Sequence, residues 1–391
     1  MRIVNSTRTH ARTVDPQLSA VLAQVSQDSL RRNVQTLSHP CMKSLVCVFA
    51  GLLLTGVGVL GVHSTAANDG QNRADRVSGT PTTPGEPLRA TSNRPDEERM
   101  EDRQRTALTH MMDAVNAGDA RRYASLYAQD AVITIFGGGE LKGRDAIEQY
   151  EEELLREFPG ARLAFYSVWH SGINAVVHYG VNGRTPGGKA MGHEGLLFYR
   201  FHPSGLIGEE HRYLDSMTPM AQMGVFGTTR ARVLPTLPTE LKTYIARSSP
   251  DEQKNIAIVR ASVSALDSKN EATFLATIAD DSVFDELIEA QPFIGKRNVK
   301  AWFDNWTRAV PDATTEITTI LGVGEFVLLK TVVRGTLKGS LGRLVASNTP
   351  FVVHRGAIVR VKDGRLTRIS AFMNSKEIAE AVGQWPPPLD K

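Results

Sequence analysis

The stretch EEHRYLD, residues 209–215, sets three carboxylates, an imidazole, a phenol and a guanidinium within seven positions. If it is a strand, successive side chains alternate between faces. Glu209, His211, Tyr213 and Asp215 then share one side, and Glu210, Arg212 and Leu214 the other. Neither side is apolar, so the strand either borders a polar-edged cavity or is a solvated edge. Beside a cavity, His211 is the candidate general base, because imidazole titrates in the useful range. Asp215 or Glu209 would hold its tautomer. Tyr213, a poor base with an ordinary pKa near ~10, would polarise a carbonyl oxygen. Such a set suits proton transfer next to a carbonyl, which makes His211, Asp215 and Tyr213 the catalytic candidates.

The elements that must position this strand occur twice. MMDAVNAGDARRYASLYAQDAV (111–132) aligns with SVSALDSKNEATFLATIADDSV (262–283), matching Ala114 to Ala265, Tyr123 to Phe274 and Asp130 to Asp281 at an offset of 151. LKGRDAIEQYEEELLREFPG (141–160) aligns with FIGKRNVKAWFDNWTRAVPD (293–312) at 152, and SGLIGEEHRYLDSMTPMAQMG (204–224) with DGRLTRISAFMNSKEIAEAVG (363–383) at 159. Three ordered blocks with slowly growing offsets are the trace of a duplication with loop insertions. Each copy opens with a long helix after a proline–acid signal, RPDEER at 94–99 and SSPDEQ at 248–253. In the second, Ser249 and Glu252 have capping-box spacing with Pro250 in the first turn. A short helix, a strand and a second amphipathic helix follow. Strand-like segments divided by glycine-rich turns complete the copy. Helices first, then a curled meander sheet, is an α+β architecture.

This order, with GDARRYASLYAQDAV, LKGRDAIEQY and GLIGEEHRYLD in copy one and FIGKRNVKAWF, RGTLKGSLG, TPFVVHRGAIVRVKDGRL and FMN in copy two, resembles the SnoaL-like branch of the NTF2-like superfamily. The resemblance covers about 95–228 and 248–385. It implies two NTF2-like cone-shaped domains, each a curved antiparallel sheet wrapped around helices and enclosing one apolar pocket. Members include polyketide cyclases, isomerases and hydrolases, and many non-catalytic binders. The cyclase motif is Glu-His-x-Asp with the aspartate as acid/base. Here Glu210-His211-Arg212 fits it, but Tyr213 stands where the aspartate belongs, which leaves cyclase chemistry open.

Other residues are candidate ligand contacts. In copy one these are His193, Trp169 and Tyr150, the last on a helical stripe with Leu154 and Phe158 that reads equally as core. In copy two, Ser370, Phe372 and Asn374 replace His211, Tyr213 and Asp215, so the acid/base set is gone. What remains is Asp285, Trp302 with Trp306 one turn on, His354 and Asn374. Asp285 with His354 is a candidate second polar site. The expectation is therefore binding of a small apolar molecule, with acid/base chemistry only in the first domain. The rival reading makes both cones interaction modules whose sheets pack within the chain or in a homodimer.

The bulk numbers bound the rest. A formal charge of +3 with mixed signs over 391 residues is no nucleic-acid footprint. Both cysteines, Cys41 and Cys47, precede the domains, so no thiolate metal site exists within them. No histidine pair has zinc spacing, and GRTPGGKAMG (183–192) lacks Walker spacing. No metal or cofactor is expected. Residues 45–62 are an uncharged apolar run, preceded by six Arg or Lys residues against Asp15 and Asp28. Read from Met42, residues 42–67 form a signal peptide with cleavage near Ala66 or Ala67; a retained inner-membrane anchor is the alternative. Residues 1–41 are then an extension that need not be translated. Residues 68–94 read as a disordered linker and 229–247 as a second linker. Both domains are expected outside the cytoplasm, exported or tethered.

Overall fold

The computed structural model describes residues 94–224, 232–342 and 344–385, all within one compact unit. The run 45–62, the cleavage site and the linker before residue 94 lie outside the described residues. No described helix is long and apolar enough to cross a membrane.

The first copy runs α1 (Arg94–Ala117), α2 (Ala120–Ala124), β1 (Tyr127–Ile135), β2 (Gly139–Lys142), α3 (Arg144–Glu157), β3 (Arg162–Ser171), β4 (Asn174–Arg184), β5 (Ala190–Phe201), β6 (Ile207–Leu214) and α4 (Met217–Gln222). Residues read as linker contribute a further strand, β7 (Lys242–Ile245), which pairs in parallel with β3 and closes that edge of the sheet. The second copy repeats the plan as α5 (Pro250–Asp267), α6 (Glu271–Thr277), β8 (Ile278–Glu286), β9 (Phe293–Ile294), α7 (Lys296–Ala309), β10 (Thr314–Val323), β11 (Phe326–Thr336), β12 (Pro350–Lys362), β13 (Arg365–Met373) and α8 (Ser375–Ala381). The sheet orders are β2-β1-β6-β5-β4-β3-β7 and β10-β11-β12-β13-β8-β9, each a meander that returns to pair its last long strand in parallel with its first.

Local sequence explains the shared joints. The first helix of each copy stops at a left-handed residue, Gly118 (φ 71°) or Lys269 (φ 57°). The next residue caps the short helix: Asp119 accepts from the Arg122 N–H and Asn270 from the Thr273 N–H. The Ser249–Glu252 capping box forms in both directions. Gly143 and Gly295 stand at equivalent positions with φ 86° and 82°, a conformation that an L side chain resists.

Each sheet wraps its own helices, giving one apolar core per copy. A third core joins the copies: Trp169, Val176, Leu196, Phe198 and Tyr213 pack against Leu287, Val323, Leu328, Ile358 and Phe372. The two sheets therefore meet through their outer faces. Leu196 pairs with Tyr213 as Gly356 pairs with Phe372, so Leu196 and Gly356 are equivalent. A Cβ on Gly356 would come within 3.0 Å of Leu196 and Tyr213. Equivalent positions touching each other mark a local pseudo-two-fold axis.

Candidate functional site

Directly opposed residues on neighbouring strands share a face. On β5 and β6 the pairs Leu197–Arg212 and Tyr199–Glu210 turn into the first cone, whereas Leu196–Tyr213 and Phe198–His211 turn toward the second domain. The expected facing of EEHRYLD is thus reversed. Its period-two alternation holds, but Glu210 and Arg212 enter the cone, and His211 and Tyr213 do not. Both faces of β5 are apolar because both are covered, so composition could not choose between them.

Inside the first cone, Arg212 and Glu210 form a closed ring with two tyrosines. Arg212 Nε donates to Glu210, and its other nitrogen donates to Tyr123 Oη at 2.6 Å. Tyr127 donates its proton to Glu210, so the 2.8 Å contact between the phenols has Tyr123 as donor. Glu210 and Tyr127 are both 0% exposed. The ring leaves no charge uncompensated, as a buried ion pair requires. Tyr150 lies beside it, with the Arg212 guanidinium 5.8 Å from its ring centre. Tyr179 contacts His193, its hydroxyl 3.2 Å from Nε2. His193 Nδ1 is buried with no partner, and burial lowers its pKa to about 4.

Glu151 borders the same network at 6% exposure. Burial, offset by Arg212 and reinforced by Glu210, raises its pKa from 4.5 to about 7. The folded protein keeps this proton up to about pH 7, whereas the unfolded chain releases it near 4.5. Its contribution to stability is therefore complete below the lower value and lost as pH rises through the upper one. Glu151→Gln should gain on the parent by about 2 kcal/mol between about pH 5 and pH 8 in urea unfolding. A difference that stays constant across that range would refute the assignment.

The remaining candidates lie between the sheets. His211 Nε2 sits 2.6 Å from Glu209, and burial with nearby Lys330 lowers its pKa. Tyr213 and His354 pack on Phe136, with ring centres 4.6 and 4.4 Å apart. His354 Nδ1 is 2.9 Å from Glu377. Trp169 stacks on Tyr244 and meets Phe326 edge-on. Asp215 accepts from the Thr218 and Ser375 amides, both at 3.1 Å, and from their hydroxyls at 2.8 and 2.6 Å. Asn374 accepts from Ser216 Oγ at 3.0 Å and donates to Phe136 O at 3.1 Å. Asp215 with Ser375 and Asn374 with Ser216 are reciprocal contacts of equivalent residues across the pseudo-dyad. Asp285 pairs with Arg232 (3.0 Å) and Arg368 (3.2 Å), not with His354, so the proposed Asp285–His354 site is not assembled.

A hollow borders the second copy. A cavity of about 400 Å³ is walled by Trp302 and Trp306 from α7, by Ile288, Leu344 and Ile378, and by Glu286 and Glu289. The first domain supplies another wall: Asp215, Met217, Thr218 and Ala221 at α4, and Arg232 beyond it. Trp302 Nε1 donates to Glu286 at 2.8 Å, and Arg355 donates to the other carboxylate oxygen at 2.7 Å. The two indoles are parallel within 4°, with centres 6.2 Å apart. The polar ring of the first cone has no counterpart in the second. Tyr127, Tyr199 and Arg212 in the first cone become Ile278, Val359 and Ala371 in the second. Of the residues singled out from sequence, Asp215, Trp302 and Trp306 line this cavity. Glu286, Glu289 and Arg232 escaped notice, since each acquires meaning only beside its spatial neighbours.

The profile of the SnoaL-like domain family matches residues 108–210 and 259–369. Among curated proteins none matches the chain. Similar solved structures include a protein assigned as a SnoaL-like polyketide cyclase from Jannaschia (15% identity, 36% of this chain, 97% of that one, TM-score 0.33). Others are an LEH-like epoxide hydrolase from M. tuberculosis (18%, 34%, 92%, TM-score 0.30) and an NTF2-like protein from Burkholderia xenovorans (19%, 33%, 96%, TM-score 0.28).

Proposed function

Since the chain belongs to the SnoaL-like domain family and carries that domain twice, we propose that it is a binding protein whose second domain holds a small, mostly apolar molecule. The carrying observation is the cavity of about 400 Å³, walled by tryptophan and aliphatic side chains with a few convergent polar groups. The first domain serves as scaffold: its buried Arg212–Glu210 pair is satisfied by its own ring, and its outer sheet face packs on the second. Its helix α4 completes the ligand site.

The test uses the full chain and the apolar dye N-phenylnaphthylamine. Saturable dye fluorescence is expected, with quenching of Trp302 and Trp306. Ala221→Trp, from the first-domain wall, and Ala301→Trp, from α7, should each weaken binding by more than about tenfold. Absence of saturable binding, or full binding by both filled variants, removes the proposal.

Acid/base chemistry confined to the first domain is the second reading. It is favoured by Glu151, a carboxyl titrating near neutrality beside Tyr150 and Arg212. Turnover that survives Glu151→Gln would discard it. We place the ligand site outside the cytoplasm, on the strength of the uncharged run 45–62 and the positive residues before it. A mature N-terminus upstream of Met42, found by mass spectrometry, would contradict the cleaved form.

A further inference from the structure

The charges around the cavity of the second domain are almost all matched. Glu286 is held by Arg355 and by the Trp302 N–H. Arg232 lies on Asp285, with two contacts of 3.0 and 3.2 Å, and gives its other nitrogen to the Glu289 carbonyl at 3.0 Å. Asp215 receives four hydrogen bonds from Thr218 and Ser375. Glu289 differs. It lies in the loop between β8 and β9, is half-buried and lines the cavity. Among the described residues no side chain or amide donates to its carboxylate.

We propose that the cavity takes a small hydrophobic amine, its ammonium paired with Glu289 and its hydrocarbon body against Trp302 and Trp306. This rests on the ligand-binding reading above and names the ligand class for that site. A half-buried carboxylate without a donor is unfavourable, and a cation is the partner that relieves it. Burial and the neighbouring Glu286 indeed raise the Glu289 pKa. Arg232 does not oppose it, since Asp285 takes up its charge. An anionic ligand would meet Glu286 and Glu289 together.

The experiment compares three compounds of one shape, naphthylmethylammonium, naphthylmethanol and naphthoate, as displacers of N-phenylnaphthylamine from the full chain. The ammonium should displace at about tenfold lower concentration than the alcohol, with naphthoate weakest. Glu289→Gln should abolish the ammonium's advantage and leave the alcohol unchanged. If the dye binds but the three compete equally, or if Glu289→Gln leaves their order intact, the amine assignment is overturned while the binding reading stands. If neither dye nor any naphthyl compound binds saturably, the binding reading has failed and takes this inference with it.

Discussion

Arg212→Ala is expected to destabilise the protein by about 3–5 kcal/mol, because it strands a buried carboxylate. Glu210 is 0% exposed and would keep only the Tyr127 proton for company. The Tyr123 hydroxyl would lose its guanidinium donor as well. The second copy suggests the remedy. At the positions of Glu210 and Arg212 it has Ile369 and Ala371, both in an apolar setting. The double change Glu210→Ile with Arg212→Ala should therefore recover most of the loss, since no charge is left to desolvate and the two phenols still bond each other. Chemical denaturation of the three proteins decides the matter. Additive losses, with the double variant weaker than Arg212→Ala, would mean that the ring is not a self-contained unit.

Asp215→Ala is expected to cost about 2–4 kcal/mol and to split unfolding into two transitions. The carboxylate joins the α4 turn of the first domain to the first residue of α8 in the second, taking four hydrogen bonds. Alanine would leave buried donors at Thr218 and Ser375 without partners. Asp215→Asn should be milder, because Asn374 occupies the mirrored place and accepts from Ser216. Unfolding followed by tryptophan fluorescence and circular dichroism separates the outcomes. A single transition within about 0.5 kcal/mol of the parent would reduce Asp215 to a surface residue in energetic terms. The same variant should weaken dye binding, since Asp215 and its helix wall the cavity.

Much of the fold was legible because it rests on local rules. The Ser249–Glu252 box, the caps at Asp119 and Asn270 and the positive-φ glycines 143 and 295 are encoded within a few residues of where they act. The repeat was legible because duplicated caps and turns keep their spacing. The candidate site was legible only in part. Trp302, Trp306 and Asp215 were singled out and line the cavity, whereas His211, Tyr213, His354 and Asn374 lie where the domains meet. One signal was available. GLLFYRF, residues 195–201, is apolar on both faces, as a strand between two layers must be. It implied a covering for the outer face, without fixing which side of β6 would meet it.

The sequence by itself determined two α+β units, their helix starts and stops, and the alternation of EEHRYLD, because caps and period-two alternation follow from backbone geometry alone. Only the tertiary structure decided which phase of that alternation faces inward and where the cavity lies. Alternation has two equivalent phases, and the choice is made by whatever covers each face, here helices on one side and the other sheet on the other. Where a cavity forms depends on side chains brought together from segments far apart in the chain. Here they come from α7, α8, the loop after β8 and, in the first domain, α4.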